Sequence, residues 1–286
     1  MSIAEQASAD TPEIDVEEAA RARTAQINRI AKWTLPSLVM VLSILAWHLY
    51  VTIWEVPHYI LPGPVLVWHQ LQEDWGMLWS AMLITTRLTL LALFFAVAGG
   101  VALAVLFTQS KWAEMSFFPY AVILQVTPVI AVAPLLQIYV DSAFVAALLC
   151  AWIVAFFPIL SNTTIGLKSV DHNLQDLFTI YGANRRQRLL YLQAPAALPF
   201  FLGGLKIAGG LALIGAVVAE FVIGRAGTGL GLASTLLEAS YRFNFARLYA
   251  ALILISGLGI VIFACTSLIS YALLHKWHES ALKRDS

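Results

Sequence analysis

Few side chains in this sequence can do chemistry, and their spacing excludes most kinds of it. Gly224, Gly227, Gly229 and Gly231 are spaced like a phosphate loop. No strand precedes them, so they read as a flexible turn rather than a dinucleotide site. No GxxxxGK[ST] sequence occurs, so the chain has no P-loop of its own. The histidines at 48, 58, 69, 172, 275 and 278 are scattered and lack the His–Glu–His spacing of a metal site. Cys150 and Cys265 both lie in long apolar runs and read as small core residues rather than a disulfide. The sequence therefore offers no catalytic residue and no metal ligand.

What remains is a handful of polar groups inside apolar runs, where each is costly and so a candidate for function. Gln125 and Thr127 flank Val126 and precede Pro128. They offer neutral hydrogen bonds, either to a solute in a path or to a neighbouring helix. Pro128 has no N–H, which frees a carbonyl and permits a kink. Glu220 lies four residues before Gly224. It either lines the mouth of a path or pairs with Arg225. Arg87 and Lys206 are long enough to snorkel to headgroups.

The elements that must position these groups are membrane helices. The chain is 60% hydrophobic and only 12% charged, against about 25% charged in a soluble domain. Its net charge is zero, which gives no basic field for nucleic acid. Six apolar segments stand out, near residues 33–54, 81–107, 117–139, 144–167, 200–223 and 249–274. The fold class is all-α transmembrane, with a polar N-terminal tail over 1–32, a membrane domain over 33–275 and a C-terminal tail over 276–286. The tail is acidic (Glu13, Asp15, Glu17, Glu18) and then basic, and it is no cleavable signal peptide, since the apolar run comes late and is too long. Residues 55–80 hold Pro57, Pro62, Gly63 and Pro64 and then either a short interfacial helix from Val65 to Trp75 or a plain loop. The short connection at Asp141 makes the third and fourth spans antiparallel neighbours. Gly204, Ala208, Ala212 and Ala216 give the fifth span a small-residue face for close packing, across a dimer on this reading.

The longest loop between spans is KSVDHNLQDLFTIYGANRRQRLLYLQAPAALP, residues 168–199. Asn173 is placed to cap a helix whose Leu174, Leu177, Phe178 and Tyr181 recur at helical spacing. Gly182 ends it, since glycine alone adopts the left-handed cap freely. A second short helix follows from about Arg185 to Leu192, and Pro195 and Pro199 are expected to break the chain before the fifth span. On pattern alone, such a unit either docks into another protein's groove or packs on itself.

At these residues the chain resembles the permease subunits of binding-protein-dependent ABC importers. Their motif runs Glu-Ala-Ala, three residues, Gly, nine residues, then Ile-x-Leu-Pro. With Gly182 on the motif glycine, Asp176 stands at the Glu position, Leu177 and Phe178 at the alanines, Leu192 at the Ile, Ala194 at the Leu and Pro195 at the Pro. TPVIAVAPLLQIY at 127–139, ILPGP at 60–64 and the glycine-rich pattern over 219–231 are similar to the nitrate/sulfonate/taurine branch, whose close relatives carry pyrimidine precursors and riboflavin. The resemblance covers residues 35–275. It implies a six-helix permease of the type I importer fold in the bacterial inner membrane. It further implies a homodimer, a cytoplasmic ATPase dimer that binds the ATP, and a periplasmic solute-binding protein. Asp176, Leu177, Phe178, Tyr181, Gly182, Ala183, Leu192 and Pro195 would then meet the ATPase, while Gln125, Thr127, Pro128 and Glu220 are candidates for the solute path.

A stand-alone secondary transporter or channel would show inverted halves with matched broken spans, and none is visible. A membrane enzyme would need a cluster of catalytic groups at one face. Orientation follows from charge: with the N-terminus inside, twelve of the 17 Lys and Arg residues face the cytoplasm and three (Arg225, Arg242, Arg247) face out. Both termini inside requires an even number of spans, and six fits. An impermeant thiol reagent should therefore fail to label Ile3→Cys or Arg284→Cys in intact cells, and ready labelling at either position would reverse the orientation.

Overall fold

The computed structural model describes residues 11–224 and 231–275. Arg225, Gly227, Gly229, Lys276, His278, Lys283 and Arg284 lie outside them. The chain divides into two units, residues 1–66 and 67–286.

In the first unit one helix, α1 (Thr11–Ile53), runs through the expected boundary at residue 32 into an apolar stretch, Thr34–Ile53. It ends where Glu55 takes φ 47°. The interfacial stretch is helical: α2 (Pro64–Glu73) starts on Pro64, the position where a missing N–H costs least.

The second unit is a bundle of α3 (Trp75–Gln109), α4 (Lys111–Val126), α5 (Val129–Tyr139), α6 (Ala143–Lys168), α7 (His172–Ile180), α8 (Arg185–Arg188), α9 (Ala194–Ile223), α10 (Leu232–Tyr241) and α11 (Phe245–Leu274). Helices in lipid gain nothing from burying apolar surface against each other, so small residues decide which ones touch. The α6–α9 seam illustrates this. A Cβ on Gly215 would lie 2.9 Å from Ala151 Cα, one on Gly204 2.9 Å from Pro158 O, and one on Gly166 2.8 Å from Ala197 Cα. The pairing runs in opposite senses along the two helices, so α9 is antiparallel to α6. Ala208, Ala212 and Ala216 are fully buried in the same contact. The small-residue face expected to pack across a dimer is thus spent inside the chain, because only it lets the backbones approach this closely. Gly100 packs α3 on Ile159 of α6 in the same way, with 2.8 Å from its added Cβ to Ile159 Cγ2.

The core clusters fix the direction of each helix. Phe107, Leu167, Ala197, Ala121 and Leu274 share one cluster, at the end of the bundle that carries Gly182. Leu88, Ala146, Ala147, Ala219 and Ala133 share another, at the end that carries Glu220. Helices α3 and α6 therefore run parallel, and the chain between them must cross back once. That crossing is α4 plus α5, which meet at a 103° bend. The expected third span is a broken one, because Pro128 cannot continue the ladder and Thr127 takes an extended ψ of 123°. Counted so, the described residues hold six apolar crossings.

The expected break at Pro195 and Pro199 is absent. Helix α8, a π turn over Leu189–Gln193 and α9 form one rod from Arg185 to Ile223. The π turn absorbs the ring: Ala194 N–H reaches back five residues to Leu189 O, and Pro195 falls in the first turn of α9. Cys150 is fully buried, as expected, but Cys265 lies on an exposed face of α11.

One ion pair ties each end. At the Gly182 end, Lys168 Nζ of α6 donates to Glu114 Oε1 of α4 at 2.5 Å. At the Glu220 end, Arg247 of α11 holds Asp74, just before α3, through Nε (2.5 Å) and a terminal nitrogen (3.0 Å), while Gln70 adds a third bond at 2.7 Å. Burial alone would raise the Asp74 carboxyl. The bonds from Arg247 and Gln70 and the guanidinium charge outweigh it and hold the group below its ordinary 3.8.

The seam predicts that Gly166→Val costs about 1–3 kcal/mol through overpacking. Gly203→Val, on the open face of the same region, should leave the melting temperature in detergent nearly unchanged, since its Cβ would meet nothing within 4 Å. Equal melting temperatures for the two variants would refute the seam. A depressed carboxyl stabilises the fold fully above about pH 4 and loses that contribution as pH falls through the lower, folded value. Asp74→Asn should therefore destabilise the protein by about 1–3 kcal/mol at pH 7, with the gap to the native protein closing below pH 4.

Candidate functional site

The residues of the 168–199 loop form one exposed corner. Asp171, not the expected Asn173, caps α7: its Oδ1 accepts from Asn173 N–H at 2.7 Å, which starts the helix two residues earlier. Asp171 itself takes the extended ψ of 135° that an N-cap residue needs. Helix α7 ends at Tyr181, where Gly182 takes φ +68° and Ala183 N–H closes back on Phe178 O at 2.9 Å. Asn184 then opens α8 with a reciprocal cap: Gln187 N–H donates to Asn184 Oδ1 at 2.9 Å and Asn184 N–H to Gln187 Oε1 at 2.8 Å. Two helices thus meet at a corner made by one left-handed residue.

None of the described residues covers this corner. Ile180 and Tyr181 are each 82% exposed, and Leu174, Leu177 and Tyr191 are exposed too. Leu177, Phe178, Tyr181, Ala183, Gln187 and Tyr191 line a shallow hollow of about 340 Å³. Asp176 points to solvent, Leu192 is half-buried where the π turn begins to feed into α9, and Pro195 is exposed. The self-packed alternative is not what the structure shows: the apolar stripe of α7 faces outward. Exposed basic residues Arg185 and Arg186 adjoin it.

The four path candidates separate. Gln125, Thr127 and Pro128 come together at the 103° break between α4 and α5, with Gln125 and Pro128 exposed. Thr127 Oγ1 donates to Ile123 O at 2.6 Å, which ends α4. Glu220 lies apart from them, near the end of the bundle away from Gly182, and is 1% exposed. Its Oε1 accepts from Thr85 Oγ1 of α3 at 2.8 Å and its Oε2 from Ala233 N–H of α10 at 2.9 Å. Arg225, its expected partner, is outside the described residues. Arg87 lies with its guanidinium carbon 5.9 Å over the Phe144 ring, so it has a cation–π partner within the bundle.

Sequence reasoning missed Thr85, Asp74 and Gln70. Thr85 had no signal beyond being a hydroxyl in an apolar run. Asp74 had one: an acid directly before a long apolar helix, at an end that also carries Arg242 and Arg247.

Comparison with known proteins adds to this geometry. Residues 96–278 match the family described as binding-protein-dependent transport system inner membrane component. The chain is 34% identical over 170 residues to the riboflavin transport system permease protein RibX of Chloroflexus aurantiacus, a match that covers 59% of this chain and 62% of that one. It is 33% identical over 190 residues to the formylaminopyrimidine transport permease protein ThiX of Halalkalibacterium halodurans, covering 66% of this chain and 74% of the relative. The match therefore spans under two thirds of the riboflavin permease and about three quarters of the other. Among solved structures, the MetNI methionine ABC transporter in an inward-facing conformation is similar, with a TM-score of 0.57 and 19% identity over 70% of this chain and 98% of that one. At that identity the likeness concerns the fold.

Proposed function

The chain belongs to the family of binding-protein-dependent transport system inner membrane components, and from that membership we propose that it is the membrane-spanning permease subunit of an ATP-driven importer. The observation that carries the reading is the uncovered corner at Gly182. Ile180 and Tyr181 stand 82% exposed at an end of the bundle rich in Lys and Arg. Large apolar side chains held out on a rigid corner mark a surface that another protein covers. The partner is a cytoplasmic ATPase dimer, which binds the ATP; this chain binds none. Asp176 offers that partner a charge-assisted acceptor, while Leu177, Phe178, Tyr181, Ala183, Leu192 and Pro195 shape the contact.

On this reading the Gly182 end faces the cytoplasm, both termini lie inside, and the Glu220 end faces a periplasmic solute-binding protein. A second copy of the permease completes the path. The break at Gln125, Thr127 and Pro128 lies on the exposed side of the single chain, where a second copy would enclose it. Gln125 and Thr127 carry neutral donors and acceptors, which suits a small heterocycle. Together with the relatives named for riboflavin and formylaminopyrimidine, this favours a vitamin or pyrimidine-type solute over a sulfonate, taurine or nitrate-like anion. Anions would call for a cation at the break.

Gly182 supplies the test. Its added Cβ would meet nothing within 4 Å, so a substitution acts through backbone strain and the docking surface rather than through internal clashes. A β-branched residue at φ +68° costs on the order of 1–2 kcal/mol. Gly182→Val should leave insertion and dimerisation intact and abolish solute-stimulated ATP hydrolysis and uptake in reconstituted vesicles. Full stimulation in that variant would remove residues 168–199 from the coupling role.

A further inference from the structure

Helix α10 (Leu232–Tyr241) begins without a cap of its own. Its N-cap position is Gly231, which has no side chain to accept the first N–H groups. Left orphaned in an apolar setting, those groups would oppose the helix. Instead two other helices cap it. Leu232 N–H donates to Thr85 Oγ1 of α3 at 2.8 Å, the Thr85 hydroxyl donates to Glu220 Oε1 of α9 at 2.8 Å, and Ala233 N–H donates to Glu220 Oε2 at 2.9 Å. Ser234 Oγ adds a weaker bond to Glu220 O at 3.4 Å. Thr85 and Glu220 are both fully buried, and Glu220 makes no ion pair among the described residues. Gly231 has to be glycine for this: a Cβ there would run into Thr85 Oγ1 and Glu220 Oε1.

Glu220 also sits near the far end of the rod that starts at Arg185. The rod is one helix of 39 residues, about 58 Å at 1.5 Å per residue. Its near end carries the capped corner at Asn184 and Gln187, and its far end carries the carboxylate that grips α10. A rigid helix that shifts at one end moves at the other.

We propose that Glu220, seconded by Thr85, is a positioning residue that fastens α10 to the fifth span, so that the outer helix moves as one body with the rod that begins at the Gly182 corner. The proposal rests on the importer reading for its meaning in transport, but the attachment itself does not. Glu220 acts here as a hydrogen-bond acceptor for a helix terminus, not as a charge in the solute path.

The experiment places spin labels at Ile214→Cys on α9 and Glu238→Cys on α10 and reads their distance distribution in the purified protein. Glu220→Ala and Thr85→Val remove acceptors and should broaden the distribution. Glu220→Gln keeps an acceptor for Ala233 and an amide that bonds to Thr85, and Thr85→Ser keeps the hydroxyl, so both should retain the native distribution. In reconstituted vesicles Glu220→Ala should lower uptake about tenfold, the factor one orphaned buried donor is worth, while ATP hydrolysis continues. Native distributions in both Glu220→Ala and Thr85→Val would overturn the proposal. So would a Glu220→Gln variant as broadened as Glu220→Ala, since a charge would then be the requirement. If Glu220→Ala does not fold, the Thr85 pair decides alone. The distance measurement needs no ATPase, so a failure of the importer reading leaves it standing.

Discussion

Lipid gives helices no hydrophobic reason to associate, so everything in this bundle depends on how closely α9 can approach α6. Three levels of contact, at Gly215, Gly204 and Gly166, bring the two backbones together along most of their length. That seam sets α9 antiparallel to α6, and Gly100 sets α3 parallel to it. Once those directions are fixed, the chain between α3 and α6 has to cross the bilayer, and the broken pair α4–α5 is the crossing. The seam also fixes where the two ends of the rod lie: the Gly182 corner at one end and Glu220 at the other.

Polar groups follow the same logic of place. Ion pairs sit at the ends, where water and headgroups share the cost of desolvation: Lys168–Glu114 at one end and Arg247–Asp74 at the other. Several deeper hydroxyls are neutral and satisfied locally. Thr164, Thr89 and Thr266 bond to carbonyls one turn back on their own helices. Glu220 is the exception in type but not in principle, since its oxygens are taken up by a hydroxyl and a backbone N–H that would otherwise have no partner.

The fold was largely legible in the sequence because its strongest signals are lengths and compositions. Apolar runs of twenty or more residues and the Gly182 corner both depend on local chemistry. The corner in particular required a left-handed residue, and φ +68° at Gly182 is that requirement met. The misreadings share a cause. Pro195 and Pro199 looked like breaks, but a π turn accommodated them, and π turns leave no pattern in sequence. Gly204, Ala208, Ala212 and Ala216 looked available to a dimer, but a small-residue face does not say which helix it meets. Asn173 lost the cap to Asp171 by two positions, within the usual uncertainty of helix ends. The Thr85–Glu220–Ala233 relay joins residues up to 148 positions apart in the chain and has no local signature at all.

The central claim is that the exposed corner at Gly182 is where an ATPase seats. A photo-cross-linking side chain at Tyr181, 82% exposed at the tip of the corner, tests it most directly. In the complex purified with its ATPase, illumination should join the two chains through position 181, and a cross-linker at Tyr241, at the opposite end of the bundle, should give no such adduct. A complex that copurifies and hydrolyses ATP but yields no adduct at 181 would contradict the account.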